Sequence, residues 1–178
     1  MVASIRKAET IDCEGIRDIH VSAFPENESG LVATLAERLL TERTSPETIS
    51  LVAEVDGHLV GHIAFSPLAM ESNAARIGYV LAPLGVRPEY QGAGVGVKLV
   101  EAGRQMLSDN GVDMLFVYGD PAYYGRFGFD ADLASHFLPP YELTYPFGWQ
   151  AMALRDSVSD VQPCTLSCVA ALRDPALW

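Results

Sequence analysis

Gln91-Gly92-Ala93-Gly94-Val95-Gly96 is the stretch of this chain whose residue types and spacing most plainly carry chemistry. It stands between an extended apolar run, residues 77–86, and a segment of helical spacing, residues 95–107. Glycine is a poor residue with which to open a helix, because it loses more conformational freedom on ordering than any other. Its repetition here makes sense if the backbone itself makes the contacts. Glycine admits positive φ and lets a ligand approach with no Cβ in the way. A loop that turns into a helix also aims unpaired N–H groups and the positive end of a dipole at one point. Such a point seats a phosphate or pyrophosphate. The plain alternative is a tight strand-to-helix turn with no ligand.

Two other phosphate loops fail on spacing. A Walker loop needs Lys then Ser or Thr after its last glycine, and Gly96 is followed by Val97-Lys98-Leu99. A dinucleotide fingerprint needs a glycine where Val97 stands, and a chain that opens on the strand carrying it. What remains is Gln-x-x-Gly-x-Gly preceded by Leu84-Gly85-Val86-Arg87-Pro88-Glu89-Tyr90. This resembles the acetyl-coenzyme A pyrophosphate loop of the GNAT superfamily of N-acetyltransferases. A second block, Gly119-Asp120-Pro121-Ala122-Tyr123-Tyr124-Gly125-Arg126-Phe127-Gly128-Phe129, follows an apolar strand and resembles the same family. With Gly61-His62-Ile63-Ala64-Phe65-Ser66-Pro67 upstream, the wording is similar to the YhbS-type bacterial subgroup. The resemblance covers residues 1–130 well and thins toward the C-terminus.

The resemblance implies acetyl-CoA as cosubstrate and no metal. It places the backbone of Leu84, Gly85 and Val86 along the pantetheine arm, and Gln91, Gly92, Ala93, Gly94, Val95 and Gly96 around the pyrophosphate. Arg87 either adds its planar fork of donors to a phosphate or is a solvated residue after a strand. Tyr124 takes the family position of the general acid, a phenol of pKa about 10 that protonates the departing thiolate. Its plain reading is an aromatic that packs the last helix on the sheet. Asp120 has three open readings: helix cap, coenzyme contact, or partner of a substrate ammonium. No acid stands on the central strand, Gly78-Tyr79-Val80-Leu81-Ala82-Pro83, where relatives carry a general base. His62 is the nearest titratable residue by strand order and suits proton transfer near neutrality; a lone strand histidine is also commonly structural. Glu26 and Glu28 open the second helix, either lining the acceptor site or simply exposed. The reaction implied is direct attack of a primary amine, in a small molecule or a peptide, with no active-site cysteine. The rival readings are a non-catalytic acyl-CoA-binding module and a small α/β interaction protein. A homodimer is compatible with either function.

Positioning these residues takes a mixed α/β layer structure. A strand is expected over residues 4–8. Thr10 is expected to cap a helix whose apolar face is Ile16, Ile19, His20 and Ala23. A second helix spans about residues 28–40, with Leu31, Leu35 and Leu39 on its stripe and Val32 beside it. Strands over 50–55 and 58–65 join at Asp56-Gly57, a hairpin signal. Further strands cover about 76–86, 113–120, 150–154 and 165–170, and Asp109-Asn110-Gly111 stops the helix that follows the loop. The family fold implied is a mostly antiparallel central sheet, splayed at the acetyl-CoA cleft and flanked by helices. The whole of 1–178 reads as a single domain, with its core in about 1–130 and late strands in 131–178.

A length of 178 residues suffices to bury a core. Hydrophobic content of 49% with 20% charged residues is ordinary for a globular protein. The net charge of −11 argues against nucleic acid as partner and suits a cationic amine. No apolar run approaches the ~20 residues that span a bilayer, and the first residues lack a signal-peptide pattern. Cys13, Cys164 and Cys168 have neither paired nor zinc-ligand spacing. A cytoplasmic chain is the expectation.

Overall fold

The computed structural model describes residues 1–72, 74–156 and 162–178. The chain forms two compact units, each built from two pieces: residues 1–65 with 82–103, and residues 66–81 with 104–178.

In the first unit, β1 (Ser4–Lys7) pairs antiparallel with β2 (Ile49–Val55). β2 pairs antiparallel with the first part of β3 (His58–Met70). The hairpin closes at Asp56 and Gly57, with φ of 49° and 79°, the left-handed pair that a two-residue turn requires. Helix α1 (Cys13–Ala23) follows a 3₁₀ turn, Thr10–Asp12. Thr10, expected as the cap, lies inside that turn. Asp12 fixes that turn: its carboxylate accepts the Glu9 N–H at 2.8 Å and both guanidinium ends of Arg6 at 2.8 and 2.9 Å, and it makes no side-chain cap to α1. That pairing holds the Asp12 carboxyl below its ordinary pKa.

Helix α2 (Glu26–Thr41) begins before the expected residue 28 and buries Ser29, Ala33, Leu35, Ala36 and Leu39. Leu31 is 37% exposed. The reason is geometric: with 3.6 residues per turn, a stripe of i, i+4, i+8 drifts by about 40° per step. Leu31 has therefore rotated off the face that Leu39 buries, and the small Ala33 and Ala36 take its place. Helix α3 (Val95–Asp109) sits on β3 at close range. A Cβ added to Gly103 would lie 2.0 Å from the Phe65 ring, and one at Gly61 would lie 3.0 Å from both Val95 and Leu99.

In the second unit, β4 (Gly78–Val86) pairs in parallel with β5 (Met114–Tyr118) from Gly78↔Met114 to Leu81↔Val117. β4 itself runs on to Val86. Short helices α4 (Pro121–Tyr124) and α5 (Ala131–Ala134) precede β6 (Phe137–Leu138), β7 (Trp149–Ala153) and β8 (Cys164–Cys168). β7 is antiparallel to β5, and β8 is antiparallel to β3 and parallel to β6. β3 thus extends past the expected end at residue 65, because Leu68, Ala69 and Met70 find partners on β8. Phe116 lies between Phe137 and Trp149, with centroids at 5.0 and 5.3 Å. The buried Trp149 indole donates to the Phe137 carbonyl at 3.0 Å. The strand order is β1-β2-β3-β4-β5-β7, a mixed and mostly antiparallel eight-stranded sheet. Among the described residues, no helix is long and apolar enough to cross a membrane.

Candidate active site

The glycine loop lies in the first unit. After β4, the Arg87 N–H donates to the Val60 carbonyl at 2.9 Å, and a 3₁₀ turn, Pro88–Tyr90, brings the chain round. The Gln91 side-chain amide donates back to the Val86 carbonyl at 2.9 Å, tying the loop to the strand end. Gly92 and Gly94 have φ of 74° and 81°, the left-handed conformation that L side chains resist. A Cβ at either would meet nothing within 4 Å, so backbone conformation and not crowding fixes the residue type. The buried Val95, 2% exposed, plants the start of α3 in the core. The first turn of α3 contains no acidic residue to offset the positive end of the helix dipole. Arg87 turns its guanidinium Nε to the Leu59 carbonyl at 2.9 Å, inside a 430 Å³ pocket lined also by Gly15, His58, Glu89 and Tyr90.

Behind β4, α1 and the β2–β3 hairpin bring together three polar side chains in the core. His20 Nε2 lies 2.8 Å from His62 Nδ1, and His62 Nε2 lies 2.7 Å from Ser50 Oγ. Both histidines are 0% exposed. Burial pushes the His20 imidazole down to about 4. His62 lies well below its ordinary value, also through burial, with His20 adding to the fall and the Asp12 charge opposing it. Both rings are neutral at pH 7, so each offers one donor and one acceptor nitrogen. His20 Nδ1 is buried without a hydrogen-bond partner. It points at β4: a Cβ on Gly85 would lie 2.7 Å from this nitrogen and 3.3 Å from Ile19 Cγ2. Gly85→Ala is therefore expected to cost about 1–3 kcal/mol, the range for overpacking a filled core. Urea denaturation checks this, and an unchanged midpoint would show that the ring moves aside freely.

Asp120 and Tyr124 lie in the second unit. The Asp120 carboxylate accepts the Ala122 N–H at 2.9 Å and so caps α4. The Tyr124 ring is half-buried and packs edge-on to Phe129 and Tyr123, at 5.8 and 5.0 Å. Gly119 leaves it room, since a Cβ there would lie 2.6 Å from the Tyr124 ring. Burial, with a smaller contribution from Tyr123, raises the Tyr124 phenol above the value of about 10 that the sequence suggests. Tyr123 carries the Arg126 guanidinium over its ring at 4.5 Å.

The expected loop residues and His62 thus fall in one unit, Asp120 and Tyr124 in the other. Glu26 and Glu28 are exposed in the first turn of α2. Sequence reasoning missed His20 and Ser50 as polar partners. The available signal was a histidine on the apolar face of the first helix together with a second on an apolar strand. Among the described residues, no disulfide involves Cys13, Cys164 or Cys168. Among the described residues, no three His, Cys, Asp or Glu side chains converge as metal ligands would.

Comparison with known proteins follows the same lines. YjhQ of Escherichia coli K12, an uncharacterized N-acetyltransferase, is 34% identical over 167 residues, covering 92% of this chain and 88% of its own. YhbS of the same strain, also an uncharacterized N-acetyltransferase, is 40% identical over 91 residues, 50% of this chain and 52% of YhbS. The crystal structure of E. coli YhbS in complex with CoA superposes with a TM-score of 0.82 at 28% identity, covering 97% of this chain and 92% of that one. A GNAT acetyltransferase from Brucella melitensis in complex with acetyl-CoA gives 0.70 at 31% identity, over 96% and 97% of the two chains. Residues 13–129, which hold both the glycine loop and Tyr124, match the acetyltransferase (GNAT) family, and the chain belongs to that family.

Proposed function

We propose that this protein transfers an acetyl group from acetyl-CoA to a primary amine by direct attack. The observation that carries the proposal is the loop at the start of α3, where Gly92 and Gly94 hold positive φ with open space in front of them. Backbone N–H groups at such a helix start suit a pyrophosphate. In this reading Gln91, Gly92, Ala93, Gly94, Val95 and Gly96 hold the pyrophosphate, with Arg87 beside them. The backbone of Leu84, Gly85 and Val86 orients the acyl arm. Acetyl-CoA, when bound, supplies the activated thioester carbonyl. Tyr124 holds a proton for the leaving sulfur, and its raised pKa keeps that proton in place well above neutrality. His62, buried with both ring nitrogens engaged, serves proton removal from the amine through its neighbours. The acceptor is a small amine or a peptide amine, drawn by the net charge of −11. Three cysteines without a disulfide among the described residues suit a cytoplasmic setting.

Acetyl-CoA is expected to stabilise the fold by roughly 2.7 kcal/mol at a hundredfold excess over Kd. Thermal unfolding with and without the coenzyme checks this, and equal stability would remove the coenzyme reading. Gly94→Val is expected to abolish that stabilisation, since a β-branched residue resists φ of 81° and fills the space before the helix. Thiol release with a panel of amines then tests turnover. Coenzyme binding without release for any amine would leave a non-catalytic acyl-CoA-binding module.

A further inference from the structure

His20 Nδ1 is a fully buried polar nitrogen without a partner, in a molecule whose other buried imidazole nitrogens are engaged. An orphaned buried group is destabilising, so its persistence asks for a reason. The chain of contacts behind it runs one way, from His20 Nε2 to His62 Nδ1 and from His62 Nε2 to Ser50 Oγ. At its far end Ser50 lines a 590 Å³ pocket together with Lys7, Glu42, Arg43 and Glu47. At its near end Nδ1 faces Gly85 on β4. Asp12, held by Arg6, is the charged group that acts on His62.

We propose that His20, His62 and Ser50 form a proton relay, in which His20 Nδ1 takes a proton from the attacking amine and Ser50 passes one to water in the adjoining pocket. This rests on the acetyl-transfer reading, in which the backbone around Gly85 orients the acyl arm. Two tautomer patterns fit the heavy atoms. In the accepting pattern, His20 Nε2–H donates to His62 Nδ1, His62 Nε2–H donates to Ser50 Oγ, and His20 Nδ1 is a bare acceptor. As the amine nitrogen forms its bond to carbon, its N–H breaks and a His20 Nδ1–H bond forms. The Nε2 proton of His20 passes to His62 Nδ1, that of His62 Nε2 passes to Ser50 Oγ, and the original Ser50 hydroxyl proton leaves to water. Both rings end neutral in the opposite tautomer, so the relay never holds an imidazolium, the form that burial disfavours. After product departs, Nδ1 gives its proton to water, the ring protons shift back, and Ser50 takes a proton from water in the adjoining pocket. The Phe24 ring packs on the buried His20 with centroids 5.8 Å apart, at the corner between α1 and α2, and the relay requires this ring to move aside for an amine to reach Nδ1.

His20 is the residue of this relay that touches substrate; His62 and Ser50 act through it. His20→Gln keeps an amide within reach of His62 and deletes Nδ1. Its kcat is expected to fall about 10²–10⁴-fold, the range for a lost proton acceptor, with acetyl-CoA still stabilising the fold. In mixtures of H₂O and D₂O, wild-type rates should curve with deuterium fraction, several protons moving together, and Ser50→Ala rates should be linear. Nitrogen-15 spectra of the free protein give a readout independent of turnover. Ser50→Ala should shift the His20 ring nitrogens across the tautomer range, although Ser50 does not touch His20. His20→Gln retaining its turnover within about twofold, or His20 resonances indifferent to Ser50→Ala, overturns the relay alone. Wild-type protein that releases no thiol with any amine overturns the acetyl-transfer reading instead.

Discussion

Tyr124→Phe is expected to lower turnover about tenfold to ten-thousandfold, the range for losing a general acid, and to leave acetyl-CoA binding unchanged. The ring makes the packing contacts, lying edge-on to Phe129 and over Gly119, and phenylalanine preserves both. Only the hydroxyl disappears. Tyr123→Phe is the control: its ring carries the Arg126 guanidinium, and the substitution keeps that ring. Burial raises the Tyr124 phenol, so its deprotonation is expected above the ordinary alkaline limb near pH 10, outside the usual assay range. Steady-state thiol release for the two variants decides the matter. Full activity in Tyr124→Phe would make this tyrosine a packing residue only.

The second large effect is thermodynamic. His20 is pushed from 6.5 in the open chain to about 4 in the folded protein. The unfolded chain therefore takes up a proton below pH 6.5 that the native chain refuses until about pH 4. Stability is full above the first value and falls through that window, by about 3 kcal/mol from this one residue. His62 acts in the same direction. Asp12, lowered by Arg6, withdraws its own contribution only at still lower pH, when the native carboxylate itself takes up a proton. Urea midpoints across this range measure the slope, and His20→Gln should flatten it. A wild-type midpoint constant from pH 7 to pH 4.5 would mean that the two rings are charged or solvated in the native state.

The glycine loop was legible because its signal is local. Gln91, Gly92, Gly94 and Gly96 state by type and spacing what φ and what open space the backbone needs, and no distant contact alters that. The Asp56-Gly57 hairpin is of the same kind. Leu31 misled because apolar spacing alone does not say which side of a drifting stripe meets the core; Ala33 and Ala36, too small to stand out, mark it. Thr10 misled because the chain enters α1 through a 3₁₀ turn that starts at Thr10 itself, fixed by Asp12 reaching back to the Glu9 N–H and held by Arg6. The role of His20 was illegible for a deeper reason. Its meaning lies in His62 and Ser50, residues that are distant in sequence and that only the register of β2 and β3 brings under α1. Of the late strands, β7 and β8 were legible to within two residues, and β6, two residues long, was not. Their partners, β5 for β7 and the far end of β3 for β8, precede them at long range.

The interleaving of the two units bears on how the chain emerges from the ribosome. Residues 1–65 need residues 82–103 to complete their unit, and residues 66–81 are synthesised between them as part of the other. A nascent chain ending at residue 81 has β1, α1, α2, β2 and β3 but lacks α3, whose Val95 and Leu99 lie over Gly61. Until then the apolar face of β3 has no helix to cover it, a state prone to self-association. Neither unit is one continuous segment: a chain stopped after residue 103 holds every residue of the first unit, but carries residues 66–81 without the 104–178 piece they belong with. Separating the units cleanly would therefore require three junctions, in β3, β4 and α3, and not one.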